Sequence, residues 1–310
     1  MIRCTHHDTL PPALRGAVVA LGNFDGFHLG HQRVLAEAVK WARSEGRPAI
    51  IATFDPHPVR HFAPHVPPFR LTTLDQRQEL FAAAGADAML VFGFDAELAA
   101  MPAAAFVADL LAGRMGAAGV VTGQDFTFGQ GRGGSTATLA EEGARHGIAA
   151  RAVAPIAAGG LTVSSSRIRD SLKAGECEVA TKLLTRPFAV RARVQHGDKR
   201  GRTIGYPTAN MDMGTYLRPR YGIYAVTVRD METGQQWPGA ANLGIRPQFD
   251  PAVELLEPFL FDFSGDLYGR ELEVALHHFL RPEAKFDSLD ALIAQMDKDC
   301  TRARALLSDQ

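Results

Sequence analysis

Two histidines, His28 and His31, stand three apart in the run Gly22-Asn23-Phe24-Asp25-Gly26-Phe27-His28-Leu29-Gly30-His31. Imidazoles donate hydrogen bonds and gain positive charge easily. At the start of a helix, free N–H groups and the helix dipole favour an anion, so two imidazoles there suit a polyphosphate. The apolar, β-branched residues 17–21 lead in and an amphipathic run, 32–43, leads out. That order predicts strand, tight turn, helix. Gly22, Gly26 and Gly30 are expected to let the backbone turn sharply and approach a ligand. A glycine turn with two ordinary surface histidines is the bland alternative. His-x-Gly-His at a strand-to-helix junction makes it the weaker one.

Other stretches also carry chemistry. No Gly-x-x-x-x-Gly-Lys-Ser/Thr loop occurs, so phosphates are handled by something other than a P-loop lysine. Ser164-Ser165-Ser166-Arg167-Ile168-Arg169 precedes a helical segment at 170–173 and offers a serine cap plus arginines. Taken alone, it reads as plain capping beside a solvated basic face. The run from His196 to Asn210 places glycines beside basic residues, which lets a phosphate lie against the backbone. Pro207 fixes the chain there. Thr208 and Asn210, two apart in an extended segment, face the same way and offer hard oxygens suited to Mg²⁺. The bland reading is a basic hairpin followed by an edge strand. Glu254 and Glu257 share one short acidic-apolar run, and either reads equally as a solvent-facing strand carboxylate. His57, His61 and His65 recur every four residues, but Pro56, Pro58, Pro64, Pro67 and Pro68 are expected to forbid a helix that would align them on zinc.

The elements that must position these residues fall into two patterns. Strands are predicted at 17–21, 48–54, 88–92, 119–122 and 148–153. Helices alternate with them at 74–84, 106–111 and 135–145. Thr73 caps the first of these with Gln76 at the capping-box position, Ser135 opens the last, and Gly85 and Gly147 are stops. The alternation implies a Rossmann-like, doubly wound parallel sheet. Its turns at 22–31, 55–58 and 123–132 follow carboxyl ends of strands, where ligands bind. After Arg186-Pro187-Phe188 come short strands at 189–194, 221–228, 257–263 and 272–279, then a helix at 289–307. These suggest an antiparallel barrel. The expected domains are 1–185 and 186–310.

Composition narrows the class. A chain of 310 residues suggests about two domains. With 46% hydrophobic residues, 22% charged and a net charge of −1, nothing points to nucleic acid or an anionic membrane. Three distant cysteines, Cys4, Cys177 and Cys300, give neither a disulfide framework nor a zinc ribbon, and fit a reduced, cytoplasmic setting. Residues 1–15 lack the apolar core of a secretory signal, and no apolar run approaches the ~18 residues of a membrane span. Neither half shows an apolar seam, so a monomer or weak homo-oligomer is expected.

Four motifs in order resemble the nucleotidylyltransferase half of the bacterial bifunctional riboflavin kinase/FAD synthetase family. They are the 22–31 turn, Thr53-Phe54-Asp55-Pro56-His57-Pro58, Gly123-Gln124-Asp125-Phe126-Thr127-Phe128-Gly129 with Arg132, and the 164–169 run. The family usually carries threonine where Ser166 stands. The resemblance implies attack of the FMN phosphate on the α-phosphorus of ATP. His28, His31, Ser165 and Arg169 are then expected at the ATP phosphates, with Gly22, Asn23, Phe24, Asp25, Gly26, Gly30 and Ser166 around the nucleotide. Phe54, His57, Asp125, Phe126 and Phe128 are expected at flavin or adenine. Mg²⁺ would bridge phosphates.

The second half looks like a riboflavin kinase. Its signature is Gly205-Tyr206-Pro207-Thr208-Ala209-Asn210, supported by Tyr221-Gly222-Ile223-Tyr224, Ala241-Asn242-Leu243-Gly244-Ile245-Arg246-Pro247 and Asp266-Leu267-Tyr268-Gly269. Gln248 stands where the family usually has threonine. The resemblance implies a six-stranded barrel with a C-terminal helix, ATP phosphates at Gly201, Arg202 and Gly205, and a metal at Thr208 and Asn210. It favours Glu257 over Glu254 as the carboxylate that orients or deprotonates the ribityl hydroxyl. The expected activities are riboflavin plus ATP to FMN, then FMN plus ATP to FAD. The alternative is an adenylyltransferase with a regulatory flavin-binding barrel.

Overall fold

The computed structural model describes residues 1–196, 206–246 and 253–308. The chain divides into two compact units, residues 1–67 with 73–164 and residues 68–72 with 165–310. Gly201, Arg202, Gly205 and Gln248 lie outside the described residues.

The first unit is built on β1 (Ile2–Thr5), β2 (Val18–Leu21), β3 (Ala49–Asp55), β4 (Ala88–Gly93), β5 (Gly119–Gly123) and β6 (Ala149–Val153). All pair in parallel, in the order β1-β4-β3-β2-β5-β6. Side chains alternate between the two faces. Val18, Ala20, Ala49 and Ile51 pack against Val34, Leu35, Ala38 and Trp41 of helix Leu29–Ser44. Val19, Leu21, Ile50 and Ala52 face a second core containing Phe106, Val107, Leu110 and Leu111. A sheet covered on both faces needs nearly unbroken apolar strands, which is why the sequence displays them. Trp41 lies so close to β5 that a Cβ on Gly119 would sit 2.3 Å from its ring. From β2 the chain steps to β3 and β4 on one side, and β5 and β6 fill the other. That reversal opens a crevice past the carboxyl ends of β2 and β5.

Local signals held where the sequence placed them. Thr73 and Gln76 form a full capping box on helix Leu74–Ala83, and Ser135 caps helix Thr136–Arg145. Gly85 and Gly147 take φ of 91° and 71° after those helices. Two segments differ. Phe106–Arg114 winds as a π-helix, with the Met115 N–H donating to Leu110 O, and no residue type in it signals the wider turn. Residues Pro58–Phe62 form a short helix despite the prolines. Pro58 occupies the first position, where no N–H is needed and its fixed φ suits the helix. A hairpin of β7 (Ala157–Ala158) and β8 (Leu161–Thr162) follows the sheet.

The second unit holds helices Ser165–Ala174 and Cys177–Leu184 and a closed antiparallel barrel. Its strands are β9 (Phe188–Gln195), β10 (Asn210–Asp212), β11 (Gly222–Asp230), β12 (Gln236–Arg246), β13 (Val253–Leu260) and β14 (Glu271–Arg281). They run β10-β13-β12-β11-β14-β9, and β9 pairs with β10 to close the ring. Val190, Met211, Tyr224, Leu243, Leu256 and Val274 are fully buried. Ala303 of the C-terminal helix Leu289–Ser308 packs with Ala225, Ala240, Phe261 and Leu280. Sequence patterning misses β10, which is three residues long, and β12, whose Trp237-Pro238-Gly239 breaks the alternation. It also sets the β13 segment at 257–263, whereas the strand runs Val253–Leu260.

Candidate functional sites

The turn after β2 is shaped by aromatic residues as much as by glycines. Phe24 and Phe27 take φ of 51° and 44°, a conformation that bulky residues adopt only when packing enforces it. Both rings are buried edge-on against Phe81, at centroid distances of 5.9 and 4.9 Å. Of the three glycines, only Gly26 has a positive φ, 84°. Gly22 and Gly30 supply room instead. A Cβ there would meet the Phe24 ring at 3.3 Å or His28 Cε1 at 3.1 Å.

His28 is the N-cap of helix Leu29–Ser44, and its Nδ1 accepts the His31 N–H at 3.4 Å. An imidazole that accepts at Nδ1 carries its proton on Nε2 and donates from there. The His28 and His31 rings stack at 3.6 Å, 17° from parallel. The two stacked imidazoles thus stand together at a helix start. Asp25 is buried. The Asn23 carbonyl accepts from Thr53 Oγ1 at 2.8 Å and Arg77 Nη1 at 3.1 Å. Asn23 Oδ1 is buried and meets no hydrogen-bond donor among the described residues.

Asn23 also lines a cleft of about 580 Å³ with Phe54, His57, Phe126, Phe128 and Arg132. That volume suits a small ligand. Phe126 and Phe128 stack at 5.8 Å, and Phe54 stacks on Phe92 at 5.4 Å. Such walls suit a flat heteroaromatic ring. His57 Nδ1 caps Val59 N at 3.2 Å. Asp125 is exposed and is not among the cleft's lining residues. Ser165 and Ser166 begin helix Ser165–Ala174, so the helix starts five residues before the predicted 170. Arg169 Nε donates to Phe69 O at 2.8 Å, and its guanidinium lies 5.2 Å over the Phe69 ring. These serines and Arg169 belong to the second unit.

In the barrel, Thr208 lines two clefts. One, about 420 Å³, is walled by Tyr206, Asn242, Glu257, Phe259 and Arg281. The other, about 440 Å³, is walled by Pro207, Phe263, Asp266 and Tyr268. Ala209 and Met211 are buried, while Thr208 and Asn210, alternating with them, are half-buried, as an extended segment requires. Asn210 pairs with Gln195 and lines neither cleft.

The two glutamates separate clearly. Three residues apart on β13, they project to opposite faces. Glu254 accepts from Arg218 Nε at 2.5 Å and from the Tyr221 hydroxyl. Burial pushes its carboxyl up, but those two hydrogen bonds outweigh it and hold the group below the usual range. Burial and the same contact push Tyr221 up to about 12. Glu254 is thus a fastened structural anion. Glu257 lies opposite Asn242 and faces the cleft beside Phe259. Tyr206 donates to Asp297, which pushes its hydroxyl up to about 12, and its ring packs on Phe259 at 5.1 Å. Arg281 forms a close pair with Asp299 at 2.7 Å. Tyr206 and Asn242 lie inside motifs visible in the sequence, yet nothing there assigns them to a cleft. Arg77 lies in a helix whose only sequence signal is its capping box.

Comparison with known proteins matches both halves. A family model described as FAD synthetase matches residues 10–167, and one described as riboflavin kinase matches 184–307. A bifunctional riboflavin kinase/FMN adenylyltransferase from Pseudomonas fluorescens is 39% identical over 99% of this chain and 97% of its own. The Escherichia coli K12 protein of the same name is 37% identical over 98% and 96%, and that of Listeria monocytogenes 37% over 94% and 92%. A crystal structure from Streptococcus pneumoniae, described as a macrolide-efflux protein, superposes with a TM-score of 0.87 at 31% identity, covering 96% of this chain and 97% of that one. Among the described residues here, no helix is long and apolar enough to cross a membrane.

Proposed function

The chain belongs to the bifunctional riboflavin kinase/FMN adenylyltransferase family, and from that premise we propose which residues carry each step. The enzyme phosphorylates riboflavin with ATP to FMN and adenylylates FMN with ATP to FAD. Phosphorylation is assigned to the barrel. The isoalloxazine ring lies in the Glu257 cleft against Tyr206 and Phe259, and ATP in the neighbouring cleft. Thr208, common to both, stands where the γ-phosphoryl group must pass. The terminal ribityl oxygen attacks the γ-phosphorus as the bond to ADP breaks. Glu257 orients that hydroxyl and accepts its proton. Thr208 and Asn210 oxygens are hard donors that fit Mg²⁺, which when bound neutralises phosphate charge.

Adenylylation is assigned to the first unit. An FMN phosphate oxygen attacks the α-phosphorus of ATP, and pyrophosphate leaves. The nucleophile is already an anion, so alignment and charge neutralisation do the work. His28 Nε2–H and His31 meet the triphosphate at the helix start, with Asp25 and the 22–30 backbone shaping the turn. The cleft lined by Phe54, His57, Phe126 and Phe128 takes the flavin. Asp125 is proposed to contact the flavin, and Ser165, Ser166 and Arg169 to bind a phosphate at the start of their own helix. The free cysteines fit a cytoplasmic enzyme, and we propose that it is monomeric or weakly self-associating.

The observation that carries the division is that each unit has its own ring-sized cleft. Paired variants test it. Glu257→Gln is expected to lose FMN formation alone and His28→Ala to lose FAD formation alone. Loss of both products in either variant, with FMN supplied, contradicts the division.

A further inference from the structure

Arg77 is a buried cation, 3% exposed, that the chemistry above does not use. It projects from helix Leu74–Ala83, outside the motifs read as binding sites. Its Nη1 donates to Thr53 Oγ1 at 2.8 Å and to the Asn23 carbonyl at 3.1 Å. Thr53 Oγ1 donates to that same carbonyl at 2.8 Å, which closes a triangle. Nη2 lies 3.7 Å from Asp55 Oδ1. One planar guanidinium thus ties the turn after β2 to the carboxyl end of β3. Both tied segments face the reaction. Asn23 and Phe54, the latter between Thr53 and Asp55, line the aromatic cleft. His28 follows Asn23 by five residues. A buried charge is expensive to desolvate, and here its hydrogen bonds are spent on a turn that already has an aromatic anchor in Phe24 and Phe27.

We infer that Arg77 is a positioning residue for adenylyl transfer: its guanidinium locks the 22–28 turn to β3, so that the nucleotide-holding turn and the flavin-facing wall keep one register. This rests on the reading of that turn as the adenylylation site. Lysine keeps the charge but offers a point donor in place of a planar fork, so it cannot hold Thr53, Asn23 and Asp55 together.

The test uses the full chain as Arg77→Lys, Thr53→Val, their double variant and His28→Ala. The rates of FMN adenylylation and riboflavin phosphorylation are measured in each, with the folded fraction read by circular dichroism. For Arg77→Lys, kcat of adenylylation per folded molecule is expected to fall about 10- to 100-fold, because small misplacements of reacting groups cost that much. KM for ATP and FMN is expected to stay within about threefold, and the kinase rate to be unchanged. Since Thr53 belongs to the same lock, the double variant is expected to be no slower than Arg77→Lys alone. Adenylylation by Arg77→Ala is expected to recover partly with added methylguanidinium. A wild-type kcat in Arg77→Lys while His28→Ala is inactive overturns the inference alone. So does a loss that merely follows the folded fraction, or one that adds fully to that of Thr53→Val. Retained FAD formation in His28→Ala overturns the site reading beneath it.

Discussion

Replacing Glu257 with glutamine isolates what a carboxylate does in the barrel. The amide is nearly the same size, so the 420 Å³ cleft keeps its shape and riboflavin still binds. One oxygen can still accept a hydrogen bond from the ribityl hydroxyl, but the side chain can no longer take its proton. A positioned general base contributes about 10²- to 10⁴-fold, or roughly 2.7–5.4 kcal/mol of barrier. FMN formation by Glu257→Gln is therefore expected to fall within that range in kcat, with KM for riboflavin little changed. Externally supplied FMN is still expected to become FAD. Glu254→Gln is the matched control. It weakens the contacts to Arg218 and Tyr221, costs roughly 1–3 kcal/mol of stability, and leaves kcat per folded molecule near wild type. Chromatographic separation of riboflavin, FMN and FAD over time reads all of these. If Glu254→Gln loses kcat as deeply as Glu257→Gln, or if Glu257→Gln keeps a wild-type rate, the assignment of the base is refuted.

Two further outcomes test the fold. Gly119→Ala places a Cβ 2.3 Å from the buried Trp41 ring and is expected to cost about 1–3 kcal/mol in thermal melts, with Trp41→Phe in the same chain recovering part of it. Asp87 is held below its usual value of 3.8, first by the Arg43 hydrogen bond and also by the Ala49 N–H, against opposing burial. A depressed carboxylate stabilises the fold above its unfolded pKa, and that stability is lost as pH falls through the folded pKa. The stability gap between wild type and Asp87→Asn is therefore expected to be full at neutral pH and to shrink below pH 3.8. A gap that is constant with pH contradicts it.

The parallel sheet was legible because burial on both faces forces apolar strands, and the helix caps at Thr73 and Ser135 because a single side-chain oxygen makes each. The resemblance supplied the barrel's strand number. Patterning alone missed β12, because Pro238 and Gly239 interrupt it, although the strand is held on both sides, by β11 and β13. The helix at Pro58–Phe62 escaped because proline forbids a helix interior but not a helix start. At the first site, His28 and His31 could be named, but not their stacking or the cap that fixes the His28 tautomer. The glycines account for only part of the turn's shape. Two phenylalanines on Phe81 hold the rest, and packing between distant segments leaves no local signature. Arg77 was invisible for the same reason. At the second site, spacing left Glu254 and Glu257 equivalent, and the resemblance alone favoured Glu257. Strand alternation and the fixed partners of Glu254 separate them in the structure.

We propose that two centres act in succession, the barrel making the FMN that the site at the 22–31 turn adenylylates. The most direct measurement is the product time course of His28→Ala given riboflavin, ATP and Mg²⁺. FMN is predicted to accumulate at the wild-type rate with FAD nearly absent. Wild-type FAD formation, or loss of FMN together with FAD, would rule out two centres acting in succession.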